Sequence, residues 1–350
     1  MLAVTAADRI VAIVNPTAGG GLALRRWRNT EQQLRERWPG LRIEHTDGHG
    51  HATRLARVAL ESGASVVIAV GGDGTANEVL AGFMDDEGQS RFPHAELGLL
   101  GGGTGGDFLR QLGSPPWDAQ LAALEHPGRA IDYGLMRFVD PQGHVRVRPF
   151  LNAATAGVTG HIVARVLRSG RVSRRLLGRK GIYLWNSVLE ILAFRARTVQ
   201  LEVEGAEPQS LALALAAITN GQFFGGGMWI APMARVDDGR LELLYTGDVS
   251  TGTLLGLLGK IFKGRHVGHP KVLAQGIRRV RLRPRTEGDV VLVEMDGEQP
   301  GRLPAEIWIV PGGVRVRVAG LPAPMALEPA APRPSALDHG AGEAASSSTV

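Results

Sequence analysis

A short apolar run that leads directly into a glycine-rich turn is the most constraining feature of this sequence. Residues 65–70 have the length and the β-branched content of a buried strand. Residues 71–76 form a glycine-rich turn, and a helix is predicted to begin near Asn77. Such a strand, turn and helix direct backbone N–H groups and a helix N-terminus toward one point, which is an arrangement suited to phosphate.

A tight turn without any ligand is the competing interpretation of this segment. For the glycines alone the two interpretations are about equally probable, because glycine motifs are common. Asp73 and Thr75 favour a ligand. An acid inside such a turn costs stability unless it meets a metal, a hydrogen-bond donor or a polar ligand.

Strands and helices alternate over the first part of the chain. Apolar runs at 9–15, 41–46 and 96–100 predict further strands, with a helix over about 22–38 after the first. Alternation of this kind implies a parallel sheet with both faces covered. Ligands bind such sheets at the carboxyl ends of the strands, so the turns after residues 14, 46 and 70 should converge.

Other nucleotide-binding motifs are absent or incomplete. Gly101, Gly103 and Gly106 formally match G-x-G-x-x-G, but the helix that would follow is short. No strand-borne acid lies at the expected distance, so a dinucleotide site is rejected in favour of a second phosphate-facing turn. A G-x-x-x-x-G-K-[ST] motif does not occur, which excludes a P-loop protein.

The pattern of apolar and polar residues changes near residue 135. Beyond it, short runs that alternate apolar and polar residues predict antiparallel strands, with helical stretches at about 160–195 and 250–263. We therefore expect an α/β domain with a parallel sheet over 1–135 and a mainly antiparallel β domain over 136–320. Residues 321–350 are rich in proline, alanine and serine, and we expect a disordered tail there.

Composition excludes several classes of protein. The 350 residues include no cysteine, so disulfides and thiolate metal sites are excluded. No stretch offers the roughly 20 apolar residues of a spanning helix, and the first residues do not resemble a signal peptide. A cytoplasmic location is the simplest expectation.

Basic residues are concentrated in two acid-free stretches, although the net charge is only +5. Residues 165–180 contain seven Lys/Arg and residues 260–285 contain nine. Apolar residues interleave with the first stretch, so it could lie against an anionic membrane surface. A solvated basic face is the alternative, and for the second stretch it is the better interpretation. No nucleic-acid-binding motif is present, so we expect no nucleic-acid partner. The oligomeric state stays open, with a homodimer as one arrangement to test.

Four segments in chain order resemble the diacylglycerol kinase catalytic domain family, which includes bacterial lipid kinases, diacylglycerol kinases and sphingosine kinases. They are residues 15–19, residues 46–52, residues 71–78 and residues 103–108. Residues 219–227 and 231–241 are also similar to family signatures, so the resemblance extends from about residue 8 to about 320. It implies an N-terminal nucleotide-binding domain like those of NAD kinases and phosphofructokinases. It also implies ATP-dependent phosphorylation of a lipid hydroxyl, with diacylglycerol converted to phosphatidic acid as the first expectation.

The resemblance also implies roles for residues in the first domain. Thr46 and Thr104 would donate hydroxyls to the nucleotide, and Asp73 would act through Mg²⁺ on the triphosphate of ATP. Asp107 and Asp132 are weaker candidates for the same metal network. Gly106 departs from the family pattern, since many members have Asn there. The residues expected to bind the nucleotide phosphates are Asn15, Pro16, Thr17, Ala18, Gly19, Gly72, Asp73, Gly74, Thr75, Ala76, Asn77 and Glu78.

Two roles in the second domain follow from the same resemblance. The carboxylate of Asp238 and the main-chain carbonyls of Arg235 and Arg240 would hold a structural magnesium, an oxygen donor set that suits a hard cation. Glu298 would act as the general base on the acceptor hydroxyl. On spacing alone, both segments are also typical of ordinary hairpin turns.

Two other functions compete with a lipid kinase. NAD kinases and phosphofructokinases share the glycine–glycine–aspartate–glycine turn, so that turn cannot distinguish a lipid acceptor, diacylglycerol or sphingoid, from NAD. A non-enzymatic binder of nucleic acid or membrane is the other alternative. It leaves the set of phosphate-facing turns unexplained.

Overall fold

The computed structural model describes residues 9–101, 106–168, 171–286 and 288–322. Thr104 and the predicted tail beyond 322 lie outside the described residues. The first part of the chain contains the elements β1 (Ile10–Val14), a short 3₁₀ turn (Ala18–Gly20), α1 (Leu22–Arg37), β2 (Arg42–His45), α2 (His51–Glu61), β3 (Val66–Gly71), α3 (Asp73–Gly82), β4 (Glu96–Gly101), α4 (Asp107–Gln111) and α5 (Trp117–Ala123).

A parallel sheet in the order β4-β3-β1-β2 forms the core of the first domain. Alternate residues of each strand enter different apolar clusters. Val11 and Ile13 pack with α2 and α3 residues, whereas Ala12 and Val14 pack with α1 and α5 residues, among them Trp27. Both faces of the sheet are therefore covered, which explains why its strands are continuous apolar runs. The predicted α/β class with a parallel sheet is confirmed.

Helix α3 begins at Asp73, four residues earlier than predicted. Gly72 is extended, with φ −105° and ψ −171°, and serves as the N-cap residue. An acid in the first helical turn interacts favourably with the positive end of the helix dipole, which compensates for the glycine at position 74. The turn predicted over 71–76 is thus mostly the first turn of a helix.

The second part of the chain is mainly antiparallel β-structure. Its elements are β5 (Arg129–Val139), β6 (Val145–Phe150), β7 (Ala153–Gly157), α6 (Val158–Arg168), α7 (Arg171–Ala193), β8 (Arg197–Val203), β9 (Gln209–Leu213), β10 (Leu215–Thr219), β11 (Phe223–Phe224), β12 (Met228–Trp229), β13 (Leu241–Thr246), α8 (Thr251–Ile261), β14 (Leu273–Ile277), β15 (Arg279–Pro284), β16 (Leu292–Met295) and β17 (Glu298–Arg317).

Two antiparallel layers enclose the core of the second domain. One layer has the order β14-β13-β10-β7-β16, and the other contains β5, β6, β8, β9 and β15. Their inner faces meet in one cluster that includes Phe138, Phe150, Val280 and Leu282. Helices α6, α7 and α8 pack on the outer face of the first layer. The continuous apolar run 211–218 forms two strands that are divided at Ala214, because β9 pairs with β8 whereas β10 pairs with β7 and β13.

Strand β17 connects the two sheets. It pairs antiparallel with β16, β15 and β5 along its length, and its last residues, Arg315 to Arg317, pair in parallel with β4. The boundary expected near residue 135 falls inside β5, which lies beside β17. Among the residues that the structure describes, no helix is both long enough and apolar enough to cross a bilayer.

Candidate active site

A cleft of about 710 Å³ lies at the carboxyl ends of β1, β3 and β4, where the two domains meet. Residues of both domains form its walls. The carboxyl ends of the strands are also where parallel sheets bind their ligands. The nucleotide-site residues expected from the sequence that line it are Asn15, Thr17, Ala18, Gly19, Thr46, Gly72, Asp73, Gly74, Thr75, Ala76 and Glu78. Pro16 and Asn77 belong to the same segments but do not line the cleft.

Asn15 fixes the first turn of the cleft. Its amide nitrogen donates to the hydroxyl of Thr75 at 3.0 Å, and its amide oxygen accepts from the backbone N–H and the hydroxyl of Thr17. The turn after β1 and the start of α3 are therefore joined by one side chain. Gly71 permits this approach, because a Cβ there would lie 2.4 Å from Oγ1 of Thr75.

The carboxylate of Asp73, which belongs to α3, lies at the N-terminus of the short helix α4. Its two carboxylate oxygens accept from the backbone N–H groups of Asp107 at 2.7 Å and Phe108 at 3.1 Å. The carboxylate thus satisfies two N–H groups that the helix itself leaves unpaired. At Gly106 an added Cβ would lie 3.6 Å from Oδ1 of Asp73. A side chain at this family-variant position would therefore fit at ordinary contact distance.

Glu78 contacts helix α2 as well as the cleft. Its Oε2 accepts from the backbone N–H of Ala52 at 3.1 Å, and its main-chain oxygen accepts from the hydroxyl of Thr53 at 2.8 Å. Its other oxygen lies 3.2 Å from Nδ1 of His49. These contacts are those of a residue that anchors α2 to α3.

Two acids of the second domain lie beside the cleft: Asp296 lines it, and Glu294, two residues earlier, is buried and does not line it. Asp296 accepts from the backbone N–H groups of Leu151, Asn152 and Ala153. Glu294 accepts from the hydroxyl of Thr155 and from the backbone N–H of Gly297, each at 2.7 Å. Burial raises the pKa of each acid to about 7, against the lowering effect of these hydrogen bonds, and the charge of Asp73 adds to the rise at Asp296.

Glu298 lies at the rim, at the start of β17. Its Oε2 accepts from the guanidinium of Arg148 at 2.9 Å, and its Oε1 lies 3.4 Å from Nδ1 of His49. His49 therefore stands between Glu78 of the first domain and Glu298 of the second. Neither partner of Glu298 could be predicted from the sequence, because a lone His or Arg has no distinguishing spacing.

The expected structural metal ligands lie away from the cleft, in a turn that Asp132 of β5 contacts. Asp132 accepts from the backbone N–H groups of Gly239 and Gly312, each at 2.7 Å. Asp238 accepts from the backbone N–H of Arg240, and Arg235 forms an ion pair with Asp237 at 2.9 Å.

Burial raises the pKa of Asp132 and of Asp238, and the charge of Asp237 raises both further. Oδ2 of Asp237 is buried and lies 3.7 Å from Nη2 of Arg129. The charge of Asp237 acts on both other carboxylates, and oxygen donors of this kind suit a hard cation. Asp132, a candidate for the nucleotide metal, thus contacts this turn and does not line the cleft.

An apolar cavity adjoins the cleft, and the sequence did not predict it. It has a volume of about 80 Å³ and lies between α6, α7, α8 and the outer face of the second-domain sheet. Tyr183 and Phe224 line both spaces. The residues concerned come from distant parts of the chain and are ordinary core types, so no pattern marks them.

Two family models cover most of the chain. Residues 9–136 match the diacylglycerol kinase catalytic domain, and residues 155–318 match the YegS C-terminal NAD kinase beta sandwich-like domain. A Bacillus anthracis protein, described as a diacylglycerol kinase, has a crystal structure that superimposes with a TM-score of 0.62. The two chains are 21% identical, and the match covers 89% of this chain and 97% of the other.

Two relatives carry the name "Probable lipid kinase YegS-like". The Chromohalobacter salexigens protein is 36% identical over 61% of this chain, and the match spans 63% of the relative's own length. The Pseudomonas aeruginosa protein is 30% identical over 82% of this chain and 88% of the relative. The resemblance stated from the sequence motifs is thus confirmed. The chain belongs to the family of YegS-like lipid kinases, which carry the diacylglycerol kinase catalytic domain.

Proposed function

We propose that this chain transfers the γ-phosphate of ATP to the hydroxyl of a lipid, with diacylglycerol as the acceptor and phosphatidic acid as the product. The proposal rests on one observation, that two spaces of different polarity lie side by side. A polar cleft at the strand ends adjoins an apolar cavity, and Tyr183 and Phe224 line both. A phosphate donor and a lipid can therefore meet at one place.

The nucleotide side of the cleft is built for anions. The N-terminus of α3 and the turn after β1 both line it, and helix N-termini bind phosphate through free N–H groups. Asn15 holds these two segments together, so their donors are fixed before a ligand arrives. Thr17 and Thr75 contribute hydroxyls to the same wall.

Oxygen donors in the cleft fit the magnesium that the family implies. Asp73 and Asp296 contribute carboxylates, and Thr17 and Thr75 contribute hydroxyls, the ligand type that Mg²⁺ prefers. Asp73 is the residue that would hold the ion. When bound, it would neutralise charge on the triphosphate.

Glu298 is the proposed general base. A carboxylate oxygen of Glu298 accepts the proton of the lipid hydroxyl as the hydroxyl oxygen attacks the γ-phosphorus of ATP. The bond between this phosphorus and the oxygen of the β-phosphate breaks, and ADP leaves. Arg148 and His49 contact the two carboxylate oxygens from different sides and keep the side chain in one orientation.

Radiolabelled ATP presented with mixed vesicles tests the proposal. Diacylglycerol, a sphingoid base and NAD should be compared as acceptors, and labelled phosphatidic acid is the expected product. Glu298→Gln should lower kcat by about 10²- to 10⁴-fold, the usual contribution of a general base. Glu204→Gln, at an exposed turn, is the matched control. Labelling of NAD alone, or full activity of Glu298→Gln, would contradict the proposal.

We further propose that helices α7 and α8 contact an anionic membrane surface. Large apolar side chains are exposed here, with Trp185 57% and Leu192 59% exposed on α7 and Phe262 41% exposed just after α8. The sequence of residues 171–180, in the first half of α7, adds five Lys/Arg and no acid. A helix whose sequence combines apolar and basic residues is typical of interfacial helices.

Sedimentation with vesicles tests this contact. Binding should be stronger to phosphatidylglycerol than to phosphatidylcholine vesicles and should weaken with salt. Trp185→Ala combined with Leu192→Ala should reduce it. Val58→Ala, which removes an exposed apolar side chain from α2 in the first domain, should not. Equal binding to both vesicle types would exclude an electrostatic contribution.

A further inference from the structure

Tyr183 stands at the boundary between the polar cleft and the apolar cavity. It lies on α7, and its ring contacts apolar residues of two clusters in the second domain. Gly225 allows the close approach, since a Cβ there would lie 3.3 Å from the tyrosine hydroxyl. Within the described residues, the other polar side chains that line the apolar cavity are those of Thr159, Ser187, Tyr245, Thr246 and His266.

The hydroxyl of Tyr183 is buried and has no hydrogen-bond partner among the residues that the structure describes. Oδ1 of Asn152, which also lines the cleft, shares this property. Buried polar groups in native proteins almost always have partners. Two such atoms at one space therefore indicate that a ligand with polar atoms completes them.

Tyr183 is a donor rather than an anion. Burial raises the pKa of its hydroxyl far above the ordinary value, and the carboxylates of Glu294 and Asp107 raise it further. The hydroxyl stays protonated throughout the working range of an enzyme. Because two acids act on this corner of the cleft, a neutral oxygen is a better acceptor here than the oxygen of a bare phosphate.

We propose that Tyr183 donates a hydrogen bond to an ester carbonyl oxygen of the lipid acceptor and so sets a preference for ester-linked glycerolipids. This inference rests on the proposed function. Tyr183 lies where a polar space changes to an apolar one, and in a diacylglycerol the atoms at that change are the ester groups. The hydrogen bond would fix how far the lipid enters the cavity, and thereby which hydroxyl reaches Glu298.

Two acceptors of equal chain length separate this role from general packing. One is a 1,2-diacylglycerol, and the other is the corresponding 1,2-dialkylglycerol, whose ether oxygens lack the carbonyl. Wild-type protein should phosphorylate the ester with a higher kcat/KM than the ether. Tyr183→Phe should lower kcat/KM for the ester about fivefold, the effect of one neutral hydrogen bond, and leave the ether unchanged. The KM for ATP should not change.

Tyr133→Phe is the matched control. The hydroxyl of Tyr133 donates to the main-chain oxygen of Gly88 in the core of the first domain, so its removal affects stability there and leaves the lining of both spaces unchanged. The ester-to-ether ratio of this variant should equal that of the wild type, whatever happens to its thermal midpoint.

The outcomes distinguish this inference from the function on which it rests. An equal loss for both lipids in Tyr183→Phe, or a rise in the KM for ATP alone, overturns the assignment and leaves the lipid kinase intact. Unchanged kcat/KM values for both lipids overturn it as well, because the hydroxyl would then make no contact with the lipid. Absence of transfer to any lipid by the wild type overturns both.

Discussion

Glu294→Gln should change how the stability of this protein depends on pH. The pKa of Glu294 is raised to about 7 in the folded protein, mainly by burial, from an ordinary value of 4.5. In the folded chain the acid keeps its proton up to about pH 7, whereas the unfolded chain releases it near its ordinary value. The unfolded state then binds fewer protons over this window, so the free energy of unfolding falls as the pH rises.

The size of the effect follows from the two pKa values. The difference between about 7 and 4.5, at about 1.4 kcal/mol for each pH unit, gives a loss of about 3 kcal/mol from about pH 4 to about pH 8. Glutamine has no proton to release in this pH range, but it can keep both hydrogen bonds that Glu294 makes. Its amide oxygen can accept from Gly297, and its amide nitrogen can donate to Thr155, whose hydroxyl then donates to Thr159 at 2.6 Å.

Guanidinium unfolding followed by tryptophan fluorescence, at several pH values, measures the free energy of unfolding of the wild type and of Glu294→Gln. Glu294→Gln should gain stability relative to the wild type as the pH rises, by about 3 kcal/mol over the whole range. Glu204→Gln, on an exposed turn, should follow the wild type at every pH. A difference that stays within about 0.5 kcal/mol, or that has the opposite sign, would refute the inference that this acid is held protonated.

Three further predictions concern the first domain and the Asp238 turn. Glu78→Ala should lower the free energy of unfolding by about 1 kcal/mol, because α2 loses the acceptor for the N–H of Ala52. In steady-state kinetics the KM for ATP should stay nearly constant. A large rise in this KM would instead mean that Glu78 contacts the phosphates of ATP. Gly71→Ala should cost about 1–3 kcal/mol in thermal unfolding, since its Cβ would overlap Thr75. Gly72→Ala, where an added Cβ meets nothing within 4 Å, is its control. EDTA should lower the thermal midpoint of the wild type but not that of Asp238→Ala, and equal sensitivity would mean that the ion binds elsewhere.

The parallel sheet could be predicted because burial on both faces leaves a simple pattern. Strands β1 and β3 are apolar throughout, and neither requires knowledge of distant residues. The start of α3 was placed four residues too late, because Gly74 obscures the helix and only the extended Gly72 reveals where it begins. Local signals thus predict elements well and their ends less well.

The candidate site was predictable only where it follows a strand end. Asn15 and Asp73 lie directly after strands, and both line the cleft. Asp296 and Tyr183 line it too, but they come from a hairpin and a long helix more than 100 residues farther along the chain. Their contribution depends on how two domains meet, which no spacing in the sequence records. For the same reason, the contact of Glu78 with α2 could not be distinguished from a contact with phosphate.

The path of β17 has a consequence for the order in which the protein can be completed during synthesis. Within the described residues, the outer edge of β4 is covered by Arg315 to Arg317, which are made much later than β4 itself. Arg315 and Arg317 also bring the guanidinium groups that pair with Glu96 at that edge. Until then the nascent first domain carries an open strand edge beside an unpaired acid, and such edges invite pairing with other chains. A fragment that ends near residue 135 should therefore aggregate, because the sheet of the nucleotide-binding domain is made first but is closed by a strand that is made much later.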